Sequence, residues 1–241
     1  EGLYASPAHP EVQNRVYRVW MDLAERYDLD GLHFDYVRYP NRDFDYSRGA
    51  LDAFRAWAGP RVDPGRITAL DAGARAKPTA WPDALPDLWD EFRRAQVTGL
   101  VRRVYLGVKT ARPDFVVSAA VFADAEDASR HRFQDWMGWL EAGILDVAAP
   151  MAYTNDDGRF RAQIRDAVQA ARDPRRVWAG IGAYANTSDG TVSKIGIARQ
   201  EGAGGVVLFS YDWATAQGAT RGVTFLERVG RASFRDGGGG G

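Results

Sequence analysis

The chain has 241 residues, a length that fits one large domain or two small ones. Its 31 Lys and Arg against 32 Asp and Glu give a formal net charge of −1, which offers no electrostatic reason to expect nucleic acid or an anionic membrane as a partner. The absence of cysteine excludes disulfides and thiolate zinc sites, and no apolar run reaches the roughly 18 residues of a membrane span.

The predicted elements begin with a helix over residues 11–27, where apolar side chains recur at helical spacing after the start signal His9-Pro10. Five short apolar runs, each bounded by Gly, Pro, Asp or Asn, then predict buried strands. Such near-continuous runs are typical of a parallel sheet that is covered on both faces. The predicted strands span residues 31–36, 116–122, 147–153, 177–184 and 205–211. Helices are predicted over residues 90–111, 133–142, 159–172 and 193–202, and near 224–232.

The spacing of the strands indicates the architecture. Strand starts at residues 116, 147, 177 and 205 lie 31, 30 and 28 residues apart, which is the period of a repeated strand–helix unit. The sequence therefore predicts an α/β protein with five strands, whereas a closed (β/α)₈ TIM barrel needs eight. Either strands one to three precede residue 1, and residues 1–235 form an incomplete barrel of strands four to eight, or the sheet is open and doubly wound. No Gly-rich phosphate loop follows a strand, which argues against a nucleotide-binding open sheet.

The interval between the first two strands holds a predicted insert at about residues 41–89, which is rich in Pro, Trp and Asp. Long loops after barrel strands are usually functional, although this one can equally be a cover over the barrel rim. Arg93 and Arg94 follow the insert. Because Arg is not favoured near a helix N-terminus, we expect one of them to pair with Asp90 or with the insert. The glycine run at residues 236–241 predicts a flexible tail.

Polar side chains are concentrated in residues 33–40, at the end of the first predicted strand. Because side chains alternate along a strand, His33, Asp35 and Val37 are predicted to share one face, and the residues between them, Tyr36 included, the opposite apolar face. A buried carboxylate is costly unless it is paired or functional, and catalytic groups of barrels lie at the carboxyl ends of strands. The segment therefore predicts a site around Asp35, with Arg38 placed to keep its carboxylate ionised. A structural His–Asp–Arg network that orders the loop is the alternative.

Residues 30–40 resemble the signature of the glycosyl hydrolase-like family 10, a bacterial group of barrel proteins whose segment reads Asp-Gly-Ile-His-Phe-Asp and ends in Tyr-Pro. The resemblance continues over most of the chain, in residues 7–12, 89–97, 146–153, 180–184 and 205–211. It implies a (β/α)₈ barrel that begins here at its fourth strand, a function in cleaving a bacterial polysaccharide, and an extracytoplasmic location.

A broader likeness is to the family 18 chitinases, whose fourth strand reads Asp-Gly-x-Asp-x-Asp-x-Glu and ends in the general acid. Aligned on Asp30-Gly31, the two inner Asp positions hold His33 and Asp35 here, and the position of the acid holds Val37. The chitinase mechanism therefore does not carry over, and Asp35 becomes the leading catalytic candidate.

Glycoside hydrolysis normally needs two carboxylates. Asp124, after the second predicted strand, and Asp212, in the loop after the fifth, are equal candidates for the second one. Substrate-binding candidates lie at or near the strand ends and are mostly aromatic, since aromatic rings can stack on sugars. They are His33, Tyr36, Arg38, Tyr153, Tyr184 and Trp213.

The sequence thus predicts a glycoside hydrolase that acts on an oligo- or polysaccharide and needs no cofactor. A barrel that binds carbohydrate without cleaving it is the alternative, because Val37 replaces the chitinase acid. A metal-dependent polysaccharide deacetylase is a third hypothesis, which requires His33 and Asp35 to bind a metal together. No metal site is predicted, because the three His residues are scattered and form no metal-binding motif.

Overall fold

The computed structural model describes residues 4–217 and 223–234, which fold as an α/β protein. Its strands are β1 Gly31–Phe34, β2 Val116–Val121, β3 Val147–Pro150, β4 Trp178–Gly182 and β5 Gly205–Phe209. The helices before β2 are α1 Pro10–Arg26, α2 Arg48–Ala58, α3 Pro64–Ala76, α4 Ala80–Ala84 and α5 Pro86–Ala111. Those after β2 are α6 Ala125–His131, α7 Trp136–Glu141, α8 Asp157–Ala171, α9 Ser188–Gln200, α10 Tyr211–Ala216 and α11 Phe225–Phe234. The predicted tail at 236–241 lies outside the described residues.

The strands pair in the order in which they occur along the chain. β1, β2 and β3 are neighbours in one sheet, and β4 and β5 form another. β2 and β3 are parallel, with Ser118 opposite Val147, and so are β4 and β5, with Trp178 opposite Gly205. Parallel bridges between residues 148 and 177 and between residues 151 and 180 connect β3 to β4. The predicted α/β class, with parallel strands joined by helices, is therefore confirmed.

The strands are shorter than predicted, and the reason lies in the chain that follows them. A 3₁₀ turn at Ala183–Ala185 ends β4, and α10 begins directly after β5, where the Ser210 hydroxyl accepts a hydrogen bond from the Trp213 N–H at 3.3 Å. Helix capping also explains why a helix begins earlier than predicted. The Thr187 side chain accepts from the Gly190 N–H at 3.1 Å, so α9 begins at Ser188 and not at residue 193.

The chain forms two compact units. The first takes in the described residues of Glu1–Leu32, Tyr36–Val117 and Glu126–Leu145, and the second those of His33–Asp35, Ser118–Ala125 and Asp146–Gly241. The first unit therefore holds α1 to α5 and α7, and the second holds β3 to β5 with α8 to α11. The carboxyl-terminal halves of β1 and β2 belong to the second unit.

The stretch at residues 41–89 is helical, not the long loop that its composition predicted. α2, α3 and α4 pack with the start of α5 around Phe54, Trp81, Trp89 and Phe92, each at most 3% exposed. The rings of Phe54 and Trp89 meet edge to face with their centroids 4.9 Å apart. Two of the tryptophans that enrich this stretch are thus core residues of the first unit.

Arg93 is a buried cation of the first unit, with a side chain only 2% exposed. One guanidinium nitrogen donates to the carbonyl oxygens of Arg42 at 2.7 Å and Phe44 at 2.6 Å, and the other to Asp90 Oδ1 at 2.6 Å. Its Cζ lies 3.9 Å from the centre of the Phe133 ring. The expected pairing of Arg93 or Arg94 with Asp90 or the insert is confirmed, since Arg93 does both. It lies well inside α5, because that helix begins at Pro86.

The core of the second unit lies between its strands and the helices α8, α9 and α11. Apolar side chains from all of these elements fill it, among them Phe160, Ile164, Ile181, Ile195 and Val229. Strand residues thus contribute one face of the layer and helix residues the other, as expected for parallel strands joined by crossover helices.

A second buried cation stabilises the loop after β3. Lys194 on α9 is fully buried, and its ammonium donates to Asp157 Oδ1 at 2.6 Å and to the carbonyl oxygen of Asn155 at 3.2 Å. The ammonium lowers the pKa of the Asp157 carboxyl. Because Asn155 follows Tyr153 closely, this contact ties the chain beyond β3 to α9.

None of the helices within residues 4–217 and 223–234 combines the length and the apolar character that crossing a membrane requires.

Replacing Arg93 by Met should lower the free energy of unfolding by about 2–4 kcal/mol, because Met keeps the bulk but leaves two carbonyl oxygens unpaired and Asp90 with Arg42 as its remaining ion-pair partner. Urea denaturation followed by circular dichroism measures the change. Arg48→Met is the matched control. That side chain is 96% exposed and lies 3.9 Å from Asp52, so we expect a change within about 0.5 kcal/mol. Equal stability of the two variants would contradict this account.

Candidate functional site

The carboxyl ends of the strands in the second unit carry polar and aromatic side chains. Asp35 follows β1, Asp124 follows β2, Tyr153 follows β3 and Tyr184 follows β4, while Phe209 is the last residue of β5. Parallel strands end at the same edge of a sheet, and this edge is where α/β proteins bind ligands. The second unit thus presents a carboxylate-bearing and aromatic strand edge.

The end of β1 positions His33 and Asp35. Leu32 and Phe34 are buried, at 7% and 2% exposure, while His33 and Asp35 are exposed, so the predicted alternation holds over these four residues. The imidazole is fixed by a hydrogen bond of 2.9 Å between His33 Nδ1 and Ser118 Oγ on β2. This bond joins β1 to the middle of β2 and orients the ring.

The predicted alternation fails beyond Asp35. β1 ends at Phe34, and Tyr36 has a positive φ of 53°, a left-handed conformation that breaks the extended backbone. Val37 is consequently buried at 8% exposure. The prediction that it continues the face of His33 and Asp35 is therefore wrong.

The environment of His33 makes its imidazole a weaker base than usual. Partial burial shields the ring from water and lowers its pKa below the ordinary 6.5. The negative charge of Asp35 acts in the opposite direction and raises the pKa. Because desolvation is the larger of these two effects on the pKa, the neutral imidazole predominates at pH 7 and can both donate and accept a proton.

Tyr36 and Arg38 belong to the first unit. The sequence predicted that Tyr36 lies on the apolar face of a strand. In the structure its side chain is instead 71% exposed. The Arg38 guanidinium lies 4.2 Å from the centre of this ring, a cation–π contact. An exposed Tyr36 ring and a half-buried Arg38 side chain therefore form a pair after the left-handed turn.

An aromatic cluster, formed by Tyr153, Tyr184 and Phe209, occupies the edge of β3, β4 and β5. The Tyr153 and Phe209 rings are stacked with centroids 5.4 Å apart and planes at 11°. Tyr184 meets both edge to face, at 6.0 Å from Tyr153 and 6.2 Å from Phe209. Tyr184 and Phe209 are each 48% exposed, which is unusual for large aromatic side chains in contact with one another.

Phe209 was not among the predicted site residues. It was interpreted as a core residue of the fifth strand, because the run Gly205-Val206-Val207-Leu208-Phe209 is apolar throughout. Its position as the last strand residue before the cap Ser210 is the signal that would have distinguished it, since the strand end and not the strand interior faces the site.

The remaining predicted residues lie after β2 and β5. Asp124 is exposed and comes directly before α6. Asp212 is also exposed, but it lies in the first turn of α10 and not in the loop that was predicted. Trp213 is half-buried and packs edge to face on Phe225 of α11, with centroids 5.4 Å apart. The predicted substrate-binding residue Trp213 is thus anchored to α11, whereas the neighbouring Tyr211 is 71% exposed.

Within the described parts of the chain, no three His, Asp or Glu side chains are grouped so that they could hold a metal ion.

The family assignment rests on a match to the glycosyl hydrolase-like 10 family over residues 1–184. The chain belongs to this family. The match includes Asp35, Asp124 and the aromatic residues Tyr153 and Tyr184, whereas β5 and the chain beyond it fall outside. Among curated proteins, no sequence matches this chain significantly. The resemblance inferred from residues 30–40 is thereby confirmed.

The Asp35→Asn change should lower the pKa of His33 further, because the negative charge of Asp35 raises this pKa and Asn carries no charge. NMR titration of the three imidazoles measures this, with the His33 signal assigned by its loss in His33→Gln. Asp212→Asn is the control and should leave the pKa unchanged, since Asp212 is not among the charges that act on His33. A His33 pKa that rises in Asp35→Asn would contradict the arrangement.

Proposed function

We propose that this protein is a glycoside hydrolase that cleaves a bacterial polysaccharide, with Asp35 as a catalytic carboxylate. We further propose that β1 to β5 are strands four to eight of a (β/α)₈ barrel. The parallel strands in chain order, with helices between them, support this architecture. In such barrels the catalytic groups lie at the carboxyl ends of the strands.

The observation that carries the proposal is the placement of Asp35. Its carboxylate is exposed just beyond the carboxyl end of β1, and the aromatic cluster lies at the carboxyl ends of the later strands. An exposed carboxylate on a strand edge is available to a glycosidic oxygen or to an anomeric carbon. Proton transfer by a positioned carboxyl group typically contributes about 10²–10⁴-fold to a rate.

His33 is a positioning residue in this proposal. Its Nδ1 is engaged with Ser118, so the imidazole has a fixed direction, and its neutral form adds no positive charge beside Asp35. The second carboxylate is Asp124 or Asp212, which follow β2 and β5 and belong to the same unit as Asp35. Two carboxyl groups about 5–5.5 Å apart lead to retention of configuration, and about 6.5–9.5 Å apart to inversion.

The aromatic cluster is the proposed sugar platform. A pyranose ring presents axial C–H groups that pack on an aromatic face, while its hydroxyls remain available to polar neighbours. Tyr184 and Phe209 offer exposed ring surface, and each phenol of Tyr153 and Tyr184 adds one donor at the rim. We assign Trp213, in the same unit as the cluster, to a further substrate contact.

A carbohydrate-binding protein without hydrolysis is the second candidate, and Val37 favours it. This apolar side chain occupies the position of the chitinase acid and is buried, so it can neither donate a proton nor reach substrate. Such a protein would use the aromatic cluster alone.

The Asp35→Asn change should reduce polysaccharide turnover by at least about 100-fold while glycan affinity changes little, because Asn keeps the shape and removes the ionisable group. Reducing-end release over a panel of bacterial polysaccharides measures turnover, and calorimetry measures binding. Glu126→Gln, an exposed acidic position on α6, is the control and should retain full activity. Binding by wild type without any cleavage would establish the second candidate in place of the hydrolase.

Where the normal product retains its configuration, azide identifies the partner of Asp35. With an activated aryl glycoside, azide should restore turnover to the variant that lacks the nucleophile or the acid/base group. We expect rescue of Asp35→Asn and of only one of Asp124→Asn and Asp212→Asn. The anomeric configuration of the glycosyl azide then distinguishes the two roles, since it is opposite to that of the normal retained product when the nucleophile is missing. Rescue of neither second variant would remove both Asp124 and Asp212 as candidates.

The Phe209→Ala change should weaken polysaccharide binding about three- to tenfold, since about half of a Phe side chain would otherwise be covered by the sugar. Affinity electrophoresis or calorimetry measures the effect, with unfolding followed in parallel. Phe234→Ala removes a ring of 59% exposure, against 48% for Phe209, from the end of α11 and should leave binding unchanged. Equal affinity of Phe209→Ala and wild type would exclude the cluster as the platform.

A further inference from the structure

A cavity of about 450 Å³ opens in the second unit beside the aromatic cluster. It lies between the loop after β4 and the helices α10 and α11. Its walls include Tyr184 and Trp213 on the aromatic side and Thr187 and Arg228 on the polar side. This size falls within the about 300–1,000 Å³ of small-ligand sites, and the mixture of aromatic faces with a few polar groups is their usual lining.

Arg228 gives the cavity its charge. Among the described residues that line the cavity, it is the one side chain with a formal charge at neutral pH. Within residues 4–217 and 223–234 its guanidinium has no ion-pair or side-chain hydrogen-bond partner, in contrast to Arg93, whose two terminal nitrogens donate to Asp90 and to the carbonyl oxygens of Arg42 and Phe44. A half-buried guanidinium facing a cavity is suited to an anion, and its planar fork matches a carboxylate with two parallel hydrogen bonds.

Tyr184 connects the cavity to the strand edge. The same side chain lines the cavity and belongs to the aromatic cluster with Tyr153 and Phe209. A polymer chain that crosses the cluster therefore has a ring-sized space beside it. The Thr187 hydroxyl already accepts a hydrogen bond from the Gly190 N–H, which leaves its own O–H to donate to a ligand oxygen.

The strand edge and the cavity carry charges of opposite sign. The strand edge carries Asp35 and Asp124, which repel an anionic sugar, whereas the cavity carries Arg228. This pattern favours a negatively charged sugar in the cavity and an uncharged glycosidic linkage beside the carboxylates.

We propose that this cavity is a subsite for an acidic sugar, a hexuronic acid whose carboxylate pairs with Arg228 while its ring packs on Tyr184 and Trp213. The inference rests on the proposed hydrolase function and names its substrate class as a carboxylated polysaccharide. The carboxylate receives two hydrogen bonds from the guanidinium, and the apolar face of the ring covers the aromatic side chains.

Calorimetry with oligoglucuronate, oligogalacturonate and oligomannuronate, each as the free acid and as its methyl ester, tests the subsite. The ester keeps the sugar and its stereochemistry and replaces the charged carboxylate by a neutral methyl ester. We expect at least one free acid to bind at least tenfold more tightly than its ester. Arg228→Gln should weaken binding of that acid about 10- to 100-fold and leave binding of the ester unchanged, because one charge-assisted contact is lost.

Arg231→Gln is the matched control, since it removes the same charge from an exposed position one turn further along α11. It should leave binding of both forms unchanged. Arg228→Lys should restore part of the preference for the acid, because it keeps the charge without the planar fork. Equal loss in Arg228→Gln and Arg231→Gln would mean that net charge alone attracts the polymer, and the subsite would be wrong.

Asp35→Asn separates the subsite from the hydrolase proposal. Preference for the acid that depends on Arg228, without turnover by wild type, would support the subsite and contradict hydrolysis. Turnover that depends on Asp35, with esters and acids bound alike, would support hydrolysis and overturn the subsite. Binding of none of the three free acids would also overturn it.

Discussion

Parallel pairing of the strands fixes the direction of the chain throughout the second unit, and the arrangement of the site depends on it. Because β2 runs with β3 and β4 with β5, each strand delivers its last residues to the same edge. Residues more than 170 positions apart in sequence, such as Asp35 and Phe209, thus both lie at carboxyl ends of strands. The crossover helices that make this pairing possible also bury the apolar faces of the strands.

Two buried cations stabilise the loops, and each does so by satisfying backbone carbonyl oxygens. Arg93 holds the chain at residues 42–44 in the first unit, and Lys194 holds the chain after Tyr153 in the second. A buried cation is costly unless an acid and further acceptors accompany it, and here Asp90 and Asp157 fulfil that condition. The rigid loops that result are suitable supports for side chains that must meet a substrate in a fixed geometry.

The strand positions and the family could be predicted from the sequence, because apolar runs of regular spacing and the segment around Asp35 are local signals. The helical nature of residues 41–89 could not be predicted, since its tryptophans are equally suited to a core and to a sugar surface. The burial of Val37 was missed for a different reason. It follows from the left-handed backbone at Tyr36, and no glycine marks that turn in the sequence. Phe209 was missed because the end of an apolar strand resembles its interior.

The proposed catalytic role of Asp35 and the proposed sugar platform together require that a single polymer contacts both Asp35 and the aromatic cluster. A crystal structure of the Asp35→Asn variant with an uncleaved oligosaccharide tests this claim most directly. We predict that a glycosidic oxygen lies within about 3.2 Å of the side chain at position 35, with a neighbouring ring stacked on Tyr184 or Phe209. An oligosaccharide bound on the aromatic cluster with every glycosidic oxygen beyond reach of position 35 would contradict the account and leave a binding protein in its place.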